Sequence, residues 1–199
     1  MFHDRQALAD LIGSRICHDL ISPLGAISNG LELMSMSGVA PTPEMELIAE
    51  SIASANSKIR FFRIAYGRAP HGATLAHGEI LSVLGDYFHG GRLRIDWQPT
   101  HELQRREVKL AFLALQCLET ALPFGGDIQI TCDDGRWQLA AHSARLRLVA
   151  ETWDILRGSE AEQENPAAAV QFLLLAILTE FRKPGLTVEA GETALTIRF

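Results

Sequence analysis

Apolar residues recur at helical spacing from Asp4 to Met36, after which "SGVAPTP" interrupts the pattern with glycine and proline turn signals. A second helix follows, with Thr42 as its N-cap and Pro43 at its first helical position. Its residues Met45, Ile48, Ile52, Ala55, Ile59, Phe62 and Tyr66 alternate three and four apart, the seam of a coiled-coil-like bundle. The first helix offers a matching stripe in Leu20, Leu24, Ile27, Leu31 and Met34. Two helices in a hairpin cannot hide both stripes from water, because each stripe is wider than a single partner covers. The pattern therefore predicts self-association about a twofold axis, a homodimer with a four-helix bundle. A monomer whose second half covers the hairpin is the alternative.

Beyond residue 66 the stretch "GRAPHGATLAHG" loses periodicity and reads as a linker between two units, residues 1–69 and 70–199. Element types then mix. "EILSVLGDYF" is helical, "RLRIDW" alternates as a strand, and "ELQRREVKLAFLALQCLETAL" reads as a long helix. "DIQITC" and "RWQLAA" flank the turn signal "DDG" and form a hairpin. "RLRLVA" alternates as a further strand, residues from Ala167 to Phe181 read as a helix, and "LTVEA" with "ALTIRF" as a last hairpin. Helices and antiparallel strands in this order predict an α+β protein whose C-terminal unit is a two-layer sandwich.

Composition narrows the field. The chain has 199 residues, 47% of them hydrophobic and 21% charged, ordinary values for a folded globular protein. A net charge of −6 gives no general attraction to nucleic acid or to anionic membranes, so neither is expected as a partner. No basic segment leading into an apolar run opens the chain, so no signal peptide is expected. The apolar runs "FLALQCL" and "FLLLAIL" fall short of the roughly 20 residues that span a bilayer. Cys17, Cys117 and Cys132 are odd in number and lack paired ligand spacing, which suggests free thiols in a reducing cytoplasm and no metal site.

Candidate chemistry sits in "SRICHDLISPLGAISNGLELM", where Pro23 interrupts a helical pattern five residues after His18. A proline inside a helix removes a hydrogen bond and costs about 3 kcal/mol, so its presence asks for a reason. At about 100° per residue, the apolar stripe of this helix lies within roughly 60° of the side opposite His18. Ser14, Ser22, Gly25 and Asn29 lie within about 40° of His18 and are small or polar; only Leu11 spoils the set. Such a face lets another protein approach the ring closely, whereas an incidental histidine on a solvated face is the plain alternative. Neutral imidazole is nucleophilic near pH 7, and the adjacent Asp19 can orient it and accept its proton. Arg15, about 60° away on the helix, is either an offset for negative charge arriving at the ring or an ordinary surface arginine.

"HDLISPLGAI" resembles the H-box of two-component histidine kinases, in which a phosphorylated histidine and an acid precede a proline. The resemblance implies that His18 is the phosphoacceptor, that Asp19 takes its proton, and that Ser22 stands where many kinases carry a residue assisting dephosphorylation. It also makes the proline the shaper of a docking face. "LETALPFGG" is similar to the kinase N-box in spacing, but Thr120 replaces the magnesium-binding Asn and Pro123 a common Lys. Neither a D-x-G-x-G nor a G-x-G lid motif follows; "LAAHSARLRL" holds the first of those places. The C-terminal unit is thus expected to resemble a histidine-kinase ATP-binding domain emptied of its nucleotide chemistry. "CHDLISPLGAISNGLEL" is similar to the ChpT-type histidine phosphotransferases of bacterial phosphorelays. That family implies a cytoplasmic homodimer without autokinase activity. It would take a phosphoryl group from the receiver domain of a hybrid kinase (CckA-like) and pass it to response regulators (CtrA-like). ATP binding is not expected, and Mg2+ would come on the receiver. If "ARLRL" is a strand, Leu146 and Leu148 face inward, and Arg145 and Arg147 share an outer face able to steer acidic receivers; a solvated strand face is the plainer account. An ATP-dependent kinase fragment and a structural or sensory dimer without phosphate chemistry are the alternatives.

Overall fold

The computed structural model describes residues 2–38, 40–158 and 167–199, with side chains from residue 10 onward. Two helices, α1 (Phe2–Met36) and α2 (Pro43–Ala65), form the expected hairpin. α2 starts where the sequence requires: Thr42 Oγ1 accepts from the Met45 amide at 3.3 Å, Pro43 opens the helix, and Glu44 and Glu46 face the positive end of its dipole. α1 continues as helix through Pro23. The amide that Pro23 lacks would have bonded to the carbonyl of Asp19, so the residue beside His18 loses its helical donor.

The stretch read as a linker is partly structured. β1 (Thr74–Leu75) pairs antiparallel with β3 (Leu103–Gln104), and α3 (His77–Tyr87) begins two residues earlier than its apolar pattern suggests. Between them lies β2 (Leu93–Trp97), and α4 (Arg105–Ala121) follows β3 directly. β4 (Gly126–Asp133) and β5 (Arg136–His142) make the predicted hairpin around Asp134 and Gly135, both at positive φ. The sheet runs β2-β4-β5-β7-β6, with β2 and β4 parallel across the α4 crossover and the other neighbours antiparallel.

One strand expectation fails. "RLRLVA" forms no strand; residues 143–149 run irregularly into a short helix α5 (Ala150–Trp153) and a 3-10 turn (Asp154–Arg157). β5 is already flanked by β4 and β7, so the segment that follows it has no place beside its own strand. Leu148 accordingly lies exposed instead of facing inward, and only Leu146 packs against the core. α6 (Val170–Thr179) is shorter than its apolar run, and the hairpin of β6 (Thr187–Ala190) and β7 (Ala194–Arg198) closes the sheet.

α4 and α6 cover one face of the sheet, where Ile128, Ile130, Leu139, Ala141, Leu195 and Ile197 alternate inward with no exposure. Along α4 every residue from Val108 to Leu115 is buried, because its other side receives α2. Phe61 of α2 makes that joint, stacked between Tyr87 (4.1 Å between centroids) and Phe112 (4.6 Å). The two units therefore share a core. Phe61→Ala should cost about 3–5 kcal/mol. A single cooperative transition shifted to lower denaturant, with both units melting together, is the expected result of an unfolding titration followed by far-UV dichroism.

Candidate functional site

His18 sits midway along α1 with its side chain 83% exposed, on the outward face that helical geometry assigns to it. Its Nδ1 lies 3.2 Å from Asp19 Oδ1, and the other oxygen of that carboxylate accepts from Arg15 Nε at 2.6 Å. The His18 hydrogen bond first, then that from Arg15, holds the Asp19 carboxyl below the usual aspartate range. An ionised carboxylate only accepts hydrogen bonds, so this contact keeps a proton on Nδ1, and in the neutral ring Nε2 then presents its lone pair outward.

Ser22 and Asn29 are exposed on the same helix, and nothing lies within 4 Å of where a Gly25 side chain would begin. The ground around the ring is low and open. Ser14 is different: its hydroxyl accepts from the Arg68 amide at 2.9 Å, so it ties α1 to the chain leaving α2. Arg145 and Arg147 lie elsewhere, in the segment after β5. Both are exposed; the Arg145 guanidinium stands 5.2 Å over the Phe124 ring, and the Arg147 amide caps the Ala121 carbonyl at the end of α4. Neither lies on a strand, and Arg145 packs over Phe124.

Leu20 and Ile27 of the opposite stripe stand nearly half exposed, at 46% and 48%, as does Ile48 of α2 at 45%. The apolar seam foreseen between the helices is therefore only half covered within one chain. Among the described residues no helix is long and apolar enough to cross a membrane.

Comparison with known proteins gives this arrangement a family. A model of the histidine phosphotransferase C-terminal domain matches residues 77–194. The protein phosphotransferase ChpT of Brucella abortus (strain 2308) is 32% identical over 198 residues, spanning 96% of this chain and 93% of that protein. The chain belongs to the histidine phosphotransferase family. A bacterial phosphotransferase solved at 1.7 Å superimposes with a TM-score of 0.66 at 27% identity, over 93% of this chain and 91% of that one.

Within the matched region of this histidine phosphotransferase, the side chains near the end of α4 bond to partners in the same chain. The Thr120 hydroxyl turns back onto the Cys117 carbonyl at 2.7 Å. Gln116 accepts from the Tyr66 hydroxyl at 2.6 Å, and Glu119 from that of Tyr87 at 3.3 Å. Burial raises the Glu119 carboxyl and pushes the Tyr87 hydroxyl up to about 12. The segment standing where a kinase has its glycine box is pinned across the end of α4, with Ser143 Oγ donating to the Gly125 carbonyl at 2.8 Å.

Sequence reasoning passed over Arg105 and Lys109 of α4, whose side chains reach the end of α2. A charge inside the apolar run "VKLAFLAL" was the available signal for Lys109.

Because the His18 and Arg15 hydrogen bonds hold the Asp19 carboxyl below its ordinary value, it keeps its charge to lower pH than an unpartnered aspartate. A carbon-detected NMR titration should place its midpoint below that of an unpartnered aspartate. Arg15→Ala should raise the midpoint only partway, since the larger contribution comes from His18.

Proposed function

We propose that this histidine phosphotransferase carries a phosphoryl group between receiver-domain aspartates on His18 Nε2. The observation that carries the reading is the outward imidazole, its Nδ1 proton held by Asp19, on a helix face of small residues. Nε2 attacks the phosphorus of a receiver's aspartyl phosphate; the N–P bond forms as the P–O bond to the carboxylate breaks. The ring becomes cationic, and Asp19 faces that charge at Nδ1. A second receiver aspartate reverses the step and restores neutral imidazole. Positioning and charge neutralisation supply most of the catalysis in phosphoryl transfer, so few groups on this chain suffice. Arg15 adds positive charge beside the ring, and Ser22, Gly25 and Asn29 give the visiting receiver room. Arg145 and Arg147 offer a basic surface for an acidic receiver pocket.

The partners on this reading are the receiver domain of a hybrid histidine kinase, CckA-like, and CtrA-like response regulators, in the cytoplasm. Mg2+ arrives on the receiver. Thr120 and Pro123, standing where a kinase N-box carries Asn and Lys, support a chain that neither binds ATP nor phosphorylates itself, and labelled ATP tests that directly. Phosphohistidine formed from ATP alone would favour the kinase reading.

Incubation with a phosphorylated receiver domain should label the wild-type chain and leave His18→Ala unlabelled. Equal labelling of both rejects the assignment.

The half-covered stripe supports a homodimer in which two hairpins complete a four-helix bundle. Light scattering should report twice the chain mass for the wild type, and Ile27→Asp, which places a charge in that seam, should shift it toward the monomer. A wild-type monomer at all concentrations removes the bundle.

A further inference from the structure

Among the described residues Lys109 is the one charged side chain that is buried, 3% exposed within α4. Burying an ammonium group is costly unless it is paired and hydrogen-bonded. Lys109 Nζ has two acceptors from two other elements: Asp10 Oδ1 of α1 at 2.7 Å and the Gly67 carbonyl, just past α2, at 3.0 Å. One turn earlier on α4, Arg105 donates to the Arg63 carbonyl at 2.8 Å and to that of Arg68 at 3.3 Å. Two cations of α4 thus satisfy carbonyls at the end of α2, where a helix leaves acceptors unpaired and its dipole is negative.

α1 is drawn into the same knot. Asp10 meets Lys109, Ser14 takes the Arg68 amide, and a Cβ on Gly13 would come within 2.8 Å of the Tyr66 carbonyl. Asp10, Ser14 and Cys17 fall within about 60° of one another around α1, and His18 is turned about 80° from Asp10. The anchored side of the helix is therefore adjacent to the face that bears the imidazole.

We propose that Lys109 is a positioning residue for phosphoryl transfer: by clamping Asp10 and the end of α2 onto α4, it fixes the His18 face relative to the C-terminal unit, so that a receiver domain meets both surfaces in one pose. The proposal rests on the phosphotransfer reading above. A clamp of this kind acts on a docked protein donor and not on the imidazole's own reactivity.

The test compares two donors on the full-length chain. A phosphorylated receiver domain, at saturating concentration, requires the docking pose. Phosphoramidate requires none: its P–N bond breaks as the bond to His18 forms, and ammonia leaves. Asp10→Ala should slow transfer from the receiver about tenfold or more, in keeping with the cost of small misplacements, while its reaction with phosphoramidate matches wild type. Asp10→Glu, which restores the acceptor, should recover most of the receiver-dependent rate. Lys109→Met, checked for folding by dichroism, should show the same split, and Asp10→Ala decides alone if that variant does not fold. Unslowed receiver transfer in Asp10→Ala, or equal slowing with both donors, overturns the clamp. A wild-type chain that takes nothing from the receiver sinks the phosphotransfer reading and the clamp with it.

Discussion

Stacking Phe61 between Tyr87 and Phe112 merges two units that differ in architecture. A helix buried on one stripe rests against its neighbours; α4 is buried nearly all round, with the sheet and α6 on one side and the hairpin on the other. Such a helix fixes the distance between what lies on its two sides, because close-packed interiors do not deform smoothly. The orientation of α1, and with it the direction in which His18 points, is inherited from this joint. The polar bonds at the end of α2 tie α1 itself to that joint.

Where a residue's fate depended on near neighbours, the sequence was readable. Thr42 and Pro43 mark the start of α2 because capping is local, and the β4–β5 hairpin is announced by its turn. The outward direction of His18 follows from helical angle alone. Long-range pairing hid the rest. The segment around Arg145 alternates like a strand, yet β5 has both edges occupied, a fact of topology that alternation does not carry. Four-residue elements such as α5 have no period to detect. β1 is a strand only because Leu103 arrives opposite Leu75. Ser14 belongs to the His18 face by angle, but an amide 54 positions away claims its hydroxyl.

The chemistry at the site is spare. One carboxylate holds one ring nitrogen and is itself held by one guanidinium, all near the surface where such pairs contribute little to stability. On the proposed reading, their value lies in tautomer choice. A histidine free to exchange its proton between nitrogens would offer the nucleophilic lone pair on a fluctuating side; Asp19 keeps it on the side facing away from the backbone. Pro23, which leaves the Asp19 carbonyl without its helical donor, sits one turn on, at the edge of the same open ground.

A single imidazole facing a single way has a kinetic corollary. Donor and acceptor must occupy the same ground in turn, so throughput on the proposed reading depends on how promptly the first visitor vacates. Residence, more than affinity, is then the quantity under selection. Small side chains with Arg15 beside the ring suit that demand: attraction between charges hastens arrival, while the small contact that Ser22, Gly25 and Asn29 offer permits quick departure.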